Sequence, residues 1–379
     1  MSTMDPARPR LTGVATLALP FPELLPSHPE QLTAALSAAG LSRSSLAVLG
    51  TPADRAALRR RLAGHVVRSP MPSPAAGRPG GSVPTARRRT LEEYQEHDRY
   101  FDVTRTGGGP DGSAEFVTGL VLAHVTAVDD AHRMGVTILD DTDWVTLFGG
   151  LATLLRRHAP PAADDGVPTL PNHEAPARPA VAAWTDDYDP ARRWLVGHQL
   201  FFALIQGAIV GINIFAAAAN DPTIDGDAGL TLAAAFLRAS AASMKLTSDF
   251  APDDYDTSVR PAMAPPAVRE GFSGLQTRDH AYLIRLFSTV KAALAARSVG
   301  PSAAHAEFVE SVVDAYAAHE FICARFRGDV LPSLRMAAAT RGSSDRSGVS
   351  VIRDMMRTRL ALVDPHGVAA PLAPSPATE

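Results

Sequence analysis

The residues best placed to do chemistry lie in Ala318-His319-Glu320-Phe321-Ile322-Cys323. His319 and Cys323 are i and i+4, so a helix puts the imidazole and the thiol on one face, one turn apart. A helix lying beside a porphyrin could hand the imidazole to the iron and the sulfur to a peripheral vinyl group. The spacing allows one thioether, not the two of the C-x-x-C-H attachment signature, which is absent. Taken on spacing alone, Cys323 as a small buried hydrophobe remains the more ordinary reading. A zinc site is weaker still, because only one thiolate is available. His280 lies 39 residues before His319, room for a helix, a turn and a second helix. An antiparallel pair could clamp a haem from both faces. The competing reading of His280 is a core or capping histidine beside Asp279, one of 12 histidines.

Composition limits the other classes. The chain has 379 residues, 46% hydrophobic and 20% charged, with a formal charge of −4, so it is too apolar for a disordered chain. No basic excess points to nucleic acid. One Cys excludes an intrachain disulfide framework and any all-cysteine metal site. The N-terminal run Met1 to Arg10 has charges but no apolar stretch behind it, so no signal peptide is expected. Trp194 to Ala219 is long enough to span a membrane. It carries Gln199, Gln206 and Asn213 at intervals of seven, a polar stripe on one face, and Gly207 and Gly211 as a small-residue face. That pattern suits a buried central helix of a soluble protein, without membrane contact, in the cytoplasm. With His198, the amides are candidates to line a pocket or to hydrogen-bond between helices.

The elements that must position these residues are helices. Period-2 alternation is scarce, and Ala, Leu and Arg dominate the periodic stretches. The fold class is mostly α, with a small N-terminal extension. Helices are expected near Glu30–Ala39, Ala53–His65, Leu91–Phe101, Ser113–Arg133, Thr142–His158, Pro190–Ala219, Leu230–Ser248, Pro266–Arg297, Ser302–Arg327 and Asp345–Leu362. Leu46–Leu49 reads as a short strand. Residues 1–89 form an extension ending in a Pro/Gly/Ser/Arg linker, 90–363 a helical body, and 364–379 a Pro/Ala tail.

Other constellations compete. Asp140-Asp141-Thr142-Asp143 before an apolar helix is reminiscent of the magnesium motif of helical terpene cyclases. A second metal motif is missing, and a helix N-cap with an acidic first turn explains the run more simply. His97, Asp98, His124, Asp129, Asp130 and His132 are candidates for a non-haem iron site, but no Glu-x-x-His pair repeats on two helices. A non-enzymatic bis-histidine haem carrier, sensor or electron-transfer protein fits the same residues as an enzyme.

His319-x-x-x-Cys323, with His280 upstream on its own helix, resembles the c-type haem 3-methyl-L-tyrosine hydroxylases of saframycin-type tetrahydroisoquinoline biosynthesis. These are distantly similar to tryptophan dioxygenase. The resemblance covers the helical body, best from His280 to about Leu360. It implies a tryptophan dioxygenase-like helical haem domain, with haem c held by one thioether at Cys323. His319 and His280 would then be the axial ligands; because Cys323 would tether the porphyrin beside His319, His280 is expected to be the one that leaves during turnover. The implied reaction is peroxide-dependent hydroxylation of a tyrosine derivative ortho to its hydroxyl, 3-methyl-L-tyrosine to 3-hydroxy-5-methyl-L-tyrosine. The partners are then a small aromatic amino acid and hydrogen peroxide, and a homodimer fits the family pattern. A Gly/Thr/Ser loop contacts the substrate in the distant relative. Thr340-Arg341-Gly342-Ser343-Ser344 stands in a comparable place, so Ser343 and Ser344 are substrate candidates. Without that role the loop is a polar turn with Ser344 or Asp345 as N-cap. Arg278, Arg285, Arg325 and Arg341 flank the haem segments as candidate carboxylate partners.

Overall fold

A computed structural model describes residues 14–64, 90–107, 112–161, 175–179, 183–272, 277–295, 300–326 and 347–368. The main helices are α1 (Pro29–Ala38), α2 (Pro52–Ala63), α3 (Leu91–Tyr100), α4 (Ser113–Met134), α5 (Asp141–His158) and α6 (Pro190–Ala217). They continue with α7 (Gly226–Thr247), α8 (Arg278–Ala295), α9 (Ala303–Arg325) and α10 (Gly348–Val363). Two four-residue strands, β1 (Leu17–Pro20) and β2 (Val103–Thr106), pair in parallel, with Leu17 opposite Val103 and Pro20 opposite Thr106.

Helix α6 is the axis. Its mean hydropathy reaches 2.1 over its most apolar window, and 83% of that window is buried inside the protein. It packs most extensively on α7, which in turn receives α5 and α9. Close approach explains the glycines: a Cβ on Gly211 would fall 2.5 Å from the Ala233 nitrogen and 2.6 Å from the Gly229 carbonyl oxygen. Backbone therefore meets backbone where α6 crosses α7.

The amide stripe bonds mainly to backbone, and at Gln206 also between helices as one reading expected, to Asp279 of α8 at 2.9 Å. Gln199 donates to Phe101 O at 3.0 Å, Gln206 to Pro20 O at 2.8 Å, and Asn213 to Leu25 O at 3.4 Å. The stripe thus satisfies backbone carbonyls of the chain that lies along α6, in and after β1 and just before β2. His198 donates from Nδ1 to Trp194 O at 2.8 Å and stacks on Phe101 at 4.5 Å. Residues of β1, α1 and α2 share one continuous apolar core with the helical body.

Buried charges fix the helix ends. Asp130 of α4 accepts from Arg192 at 2.9 Å and Arg193 at 2.7 Å, and Arg193 also meets Asp249 beyond α7 at 3.4 Å. The acidic run before α5 is a cap, as the simpler reading had it. Asp140 accepts from the Asp143 amide, Asp141 pairs with Arg178, and Asp143 pairs with Lys245. The segment expected as a strand at Leu46–Leu49 is instead a single 3-10 turn, Ala47–Leu49. The helix expected from Pro266 begins at Arg278; 263–268 forms turns and bends around the adjacent Pro265 and Pro266.

Candidate active site

His280 stands in the first turn of α8, where its backbone amide bonds to Thr277 Oγ1 at 3.2 Å. His319 stands near the end of α9. The ring of Phe287 meets that of Phe308 at 6.2 Å. Phe287 lies two turns after His280 and Phe308 three turns before His319; with both histidines lining one cleft, the pairs His280/His319 and Phe287/Phe308 set the two helices antiparallel.

There the two imidazoles line one cleft. Its walls come from five helices: Phe201 and Ile205 of α6, Leu237, Ser240 and Met244 of α7, Leu283, Ile284 and Phe287 of α8, Val312, Ala315 and Tyr316 of α9, and Met355 of α10. The enclosed void is small, about 40 Å³, and the rest of the cleft opens to solvent. Apart from the imidazoles, only Ser240 and Tyr316 bring polar atoms to the lining, and Ser240 Oγ is already donating to Leu237 O at 2.7 Å.

Burial pushes the His319 pKa down to about 4. Its imidazole is therefore neutral at physiological pH, with a lone pair free to bind a metal. Cys323, one turn on, is half-buried. Burial first, and the Glu320 charge second, push its thiol up to about 11. It is a protonated thiol, not a thiolate poised to ligate zinc or attack an electrophile. Its neighbourhood is aromatic: Tyr255 is within electrostatic reach, and Phe326 stacks on Tyr255 at 4.3 Å. Arg325 ties this end of α9 down, donating to Phe250 O at 2.8 Å and Ser248 O at 3.3 Å.

The donor set answers what the cleft can hold. Among the described residues, no group of three or more His, Cys, Asp and Glu could hold a metal ion. A bare cation is thus poorly served, whereas two imidazoles on apolar walls suit a metal that brings its own equatorial nitrogens and a greasy ring. The non-haem candidates are otherwise engaged. His124 Nδ1 donates to Leu120 O, Asp129 takes Arg55 and Arg59, and Asp98 takes Arg105.

His280, His319 and Cys323 are thus brought to one region. Ser343, Ser344 and Arg341 lie outside the described residues. The other candidate arginines are occupied: Arg278 packs over the rings of Phe21 and Tyr94, and Arg285 over Tyr282. Sequence reading missed Tyr316, although it lies three residues before His319 and so on the same face.

These features define a mostly helical protein built around an apolar cleft flanked by two histidines. The model of the SfmD 3-methyl-L-tyrosine peroxygenase family matches residues 18–307. The 3-methyl-L-tyrosine peroxygenase of Streptomyces lavendulae is 30% identical over 343 residues, covering 90% of this chain and 88% of that protein. A crystal structure of reduced SfmD, soaked with sodium hydrosulfite, superposes with a TM-score of 0.54 at 26% identity, covering 81% of this chain and 97% of that one. The chain belongs to the 3-methyl-L-tyrosine peroxygenase family. The family match takes in His280 and ends before His319 and Cys323; the cleft brings His319 beside His280, and Cys323 stands one turn further along α9, outside the lining residues.

Proposed function

We propose that this protein is a haem-dependent peroxygenase of natural-product biosynthesis. It adds a hydroxyl ortho to the phenol of a tyrosine derivative, 3-methyl-L-tyrosine to 3-hydroxy-5-methyl-L-tyrosine, with hydrogen peroxide as the oxygen donor. The observation that carries this reading is the pair His280 and His319 on one apolar cleft in a chain of the peroxygenase family.

His319 and His280 would hold the haem iron, and Cys323 would hold the ring through a single thioether, as haem c. When bound, haem supplies the oxidising chemistry that amino-acid side chains lack. The chain's own work is to bind and orient. His319 enters the site as a neutral imidazole because burial disfavours its cation. Leu283, Ile284, Phe287 and Val312 exclude water and give a phenolic ring an apolar surface. Cys323, one turn from His319 on the same helix face, would keep the group beside His319, so His280 would be the ligand that gives way to peroxide. A cytoplasmic location goes with this reading: the one described helix long and apolar enough to cross a membrane is the buried α6.

The test is an absorption spectrum of the purified protein before and after acid–acetone extraction, with intact mass. Wild type should keep its haem through extraction and Cys323→Ala should release it. Supplied with peroxide and 3-methyl-L-tyrosine, the protein should form a catechol containing one added oxygen atom. A colourless protein would sink the haem reading, and a coloured one without oxygen transfer would instead be a carrier, sensor or electron-transfer protein.

A further inference from the structure

The end of α9 that carries Cys323 runs into a group of aromatic rings outside the cleft lining. Phe326, three residues on, stacks on Tyr255 at 4.3 Å with the planes 10° apart, and Tyr255 and Cys323 lie within electrostatic reach of each other. Tyr255 opens a single helical turn, Tyr255–Val259, shortly after α7. The residue before it, Asp254, accepts the hydrogen bond of the Tyr188 hydroxyl, and the Ala251 amide donates to the same hydroxyl oxygen at 2.8 Å. Tyr188 is thereby fixed to the turn that carries Tyr255. It is half-buried, beside the exposed Asp186 and Asp187, with its ring 5.0 Å from that of Trp184.

Phenols are among the most easily oxidised side chains, but only when the proton leaves with the electron, because the radical cation of a phenol is a strong acid. The two tyrosines divide the requirements. Tyr255 has the position, beside the cysteine. Tyr188 has the proton acceptor, since its hydroxyl already donates to a carboxylate. Burial and that hydrogen bond lift the Tyr188 pKa to about 12, so the proton is still on its oxygen at physiological pH. An electron drawn from Tyr255 is replaced from Tyr188 across the hydrogen bond to Asp254 and the peptide link that follows it.

We propose that Tyr255 and Tyr188 form an electron relay from the haem tether at Cys323 to the surface, giving the protein a second activity, peroxidase oxidation of small phenolic donors at Tyr188. The inference rests on the haem peroxygenase reading. In oxygen transfer, peroxide gives one oxygen to the substrate and the other to water. Without substrate in the cleft, peroxide is reduced to two waters and takes up two electrons and two protons. Solvent supplies those protons at the cleft. Each electron leaves Tyr188 as its proton moves to Asp254, and a neutral phenoxyl radical remains. A donor then returns a hydrogen atom to Tyr188, and Asp254 releases its proton to solvent. In sum, one peroxide and two phenols give two waters and two phenoxyl radicals. The relay spares the cleft, whose Met244 and Met355 are the oxidisable thioethers nearest the reaction.

The test mixes the holoprotein with hydrogen peroxide in the absence of substrate. Freeze-quench electron paramagnetic resonance should show a phenoxyl radical, and spin trapping with peptide mass mapping should place the trap on Tyr188. Tyr188→Phe and Tyr255→Phe should lose that radical, lose most oxidation of an added phenol and accumulate sulfoxide at Met244 and Met355. Both should hydroxylate 3-methyl-L-tyrosine as wild type does. Asp254→Asn keeps both phenols and removes the base, so its Tyr188 radical should diminish. Should Tyr255→Phe fail to fold, Tyr188→Phe and Asp254→Asn decide the matter. A spin-trap map without Tyr188 overturns the relay, as do radical and sulfoxide patterns that match wild type in every folded variant. A colourless wild type breaks the haem reading alone. A ruthenium photosensitiser attached to Cys323, the one cysteine, then supplies the oxidant by light. A transient phenoxyl absorbance lost in Tyr255→Phe supports the relay, and one that is absent, or indifferent to both tyrosine substitutions, overturns it.

Discussion

Arg105 and Asp279, 174 residues apart in the chain, meet through two hydrogen bonds of 2.9 and 2.6 Å, with both side chains buried. Burial alone would depress the Arg105 pKa, but Asp279 and Asp98 outweigh it and lift it above the ordinary arginine value. Asp279 also accepts from Gln206 of α6 at 2.9 Å. The residue immediately before His280 is therefore locked to β2 and to the central helix.

The first prediction follows from that lock. Asp279→Ala strips a buried guanidinium of one carboxylate, a class of change that costs about 3–5 kcal/mol. Urea denaturation should show the loss, and the visible spectrum should show disturbed ligation at His280. A loss below about 1 kcal/mol with an unchanged spectrum would mean that Asp98 alone suffices for Arg105.

A second prediction tests the crossing of α6 and α7. Gly211→Ala drives a Cβ against the Ala233 nitrogen and the Gly229 carbonyl oxygen, both backbone, so neither can swing aside. It should destabilise by about 3 kcal/mol or more. Gly149→Ala is the control: nothing lies within 4 Å of its added Cβ, and helix propensity should stabilise by about 0.5–1 kcal/mol. Chemical denaturation of the two variants should give opposite signs, and equal effects would refute the close-packing argument.

Much of this was readable in the sequence, and the parts that were not share a cause. The helices follow their periodicity, Asp140 announces α5, and Gly207 and Gly211 announce a close helix contact. His319 and Cys323 share a face because 3.6 residues make a turn. The strands were invisible because each is only four residues long, and their pairing joins segments far apart in sequence. The amides of α6 showed as a stripe, but their backbone partners could not be read from α6 alone. The cleft is assembled from five helices, so Tyr316 carries no local mark beyond its spacing from His319.

The third prediction concerns acid. His124 and His198 are buried, and burial pushes each pKa down to about 4, against backbone hydrogen bonds that partly restore it. The ordinary value is 6.5. As pH falls below that, the unfolded chain takes up protons that these folded imidazoles refuse. Stability is therefore full above about 6.5 and declines toward 4, by at most about 1.4 kcal/mol per pH unit for each histidine. Urea unfolding at pH 7 and pH 5 checks the sign. Equal stability at the two, with other titrations accounted for by a His124→Phe, His198→Phe double variant, would contradict the burial argument.

The last prediction separates the two cleft histidines. Their backbones are both held, His280 through Asp279 and the end of the His319 helix through Arg325. Backbone restraint thus gives no reason for one rather than the other to leave. The asymmetry comes from Cys323, which shares a helix face with His319 and has no counterpart beside His280. A haem tethered at Cys323 would stay within reach of His319 whenever that bond opened, so rebinding there would be fast. His280 would have no such advantage and would be the ligand that yields to peroxide. His280→Ala should retain haem, show a five-coordinate spectrum and react with peroxide at least as readily as wild type. His319→Ala should keep the tethered haem but lose most turnover, because the remaining imidazole then sits on the side that must open. Stopped-flow mixing with peroxide and steady-state product formation measure both. A His280→Ala variant that stayed six-coordinate with wild-type peroxide kinetics would show that the roles are reversed or that neither histidine moves.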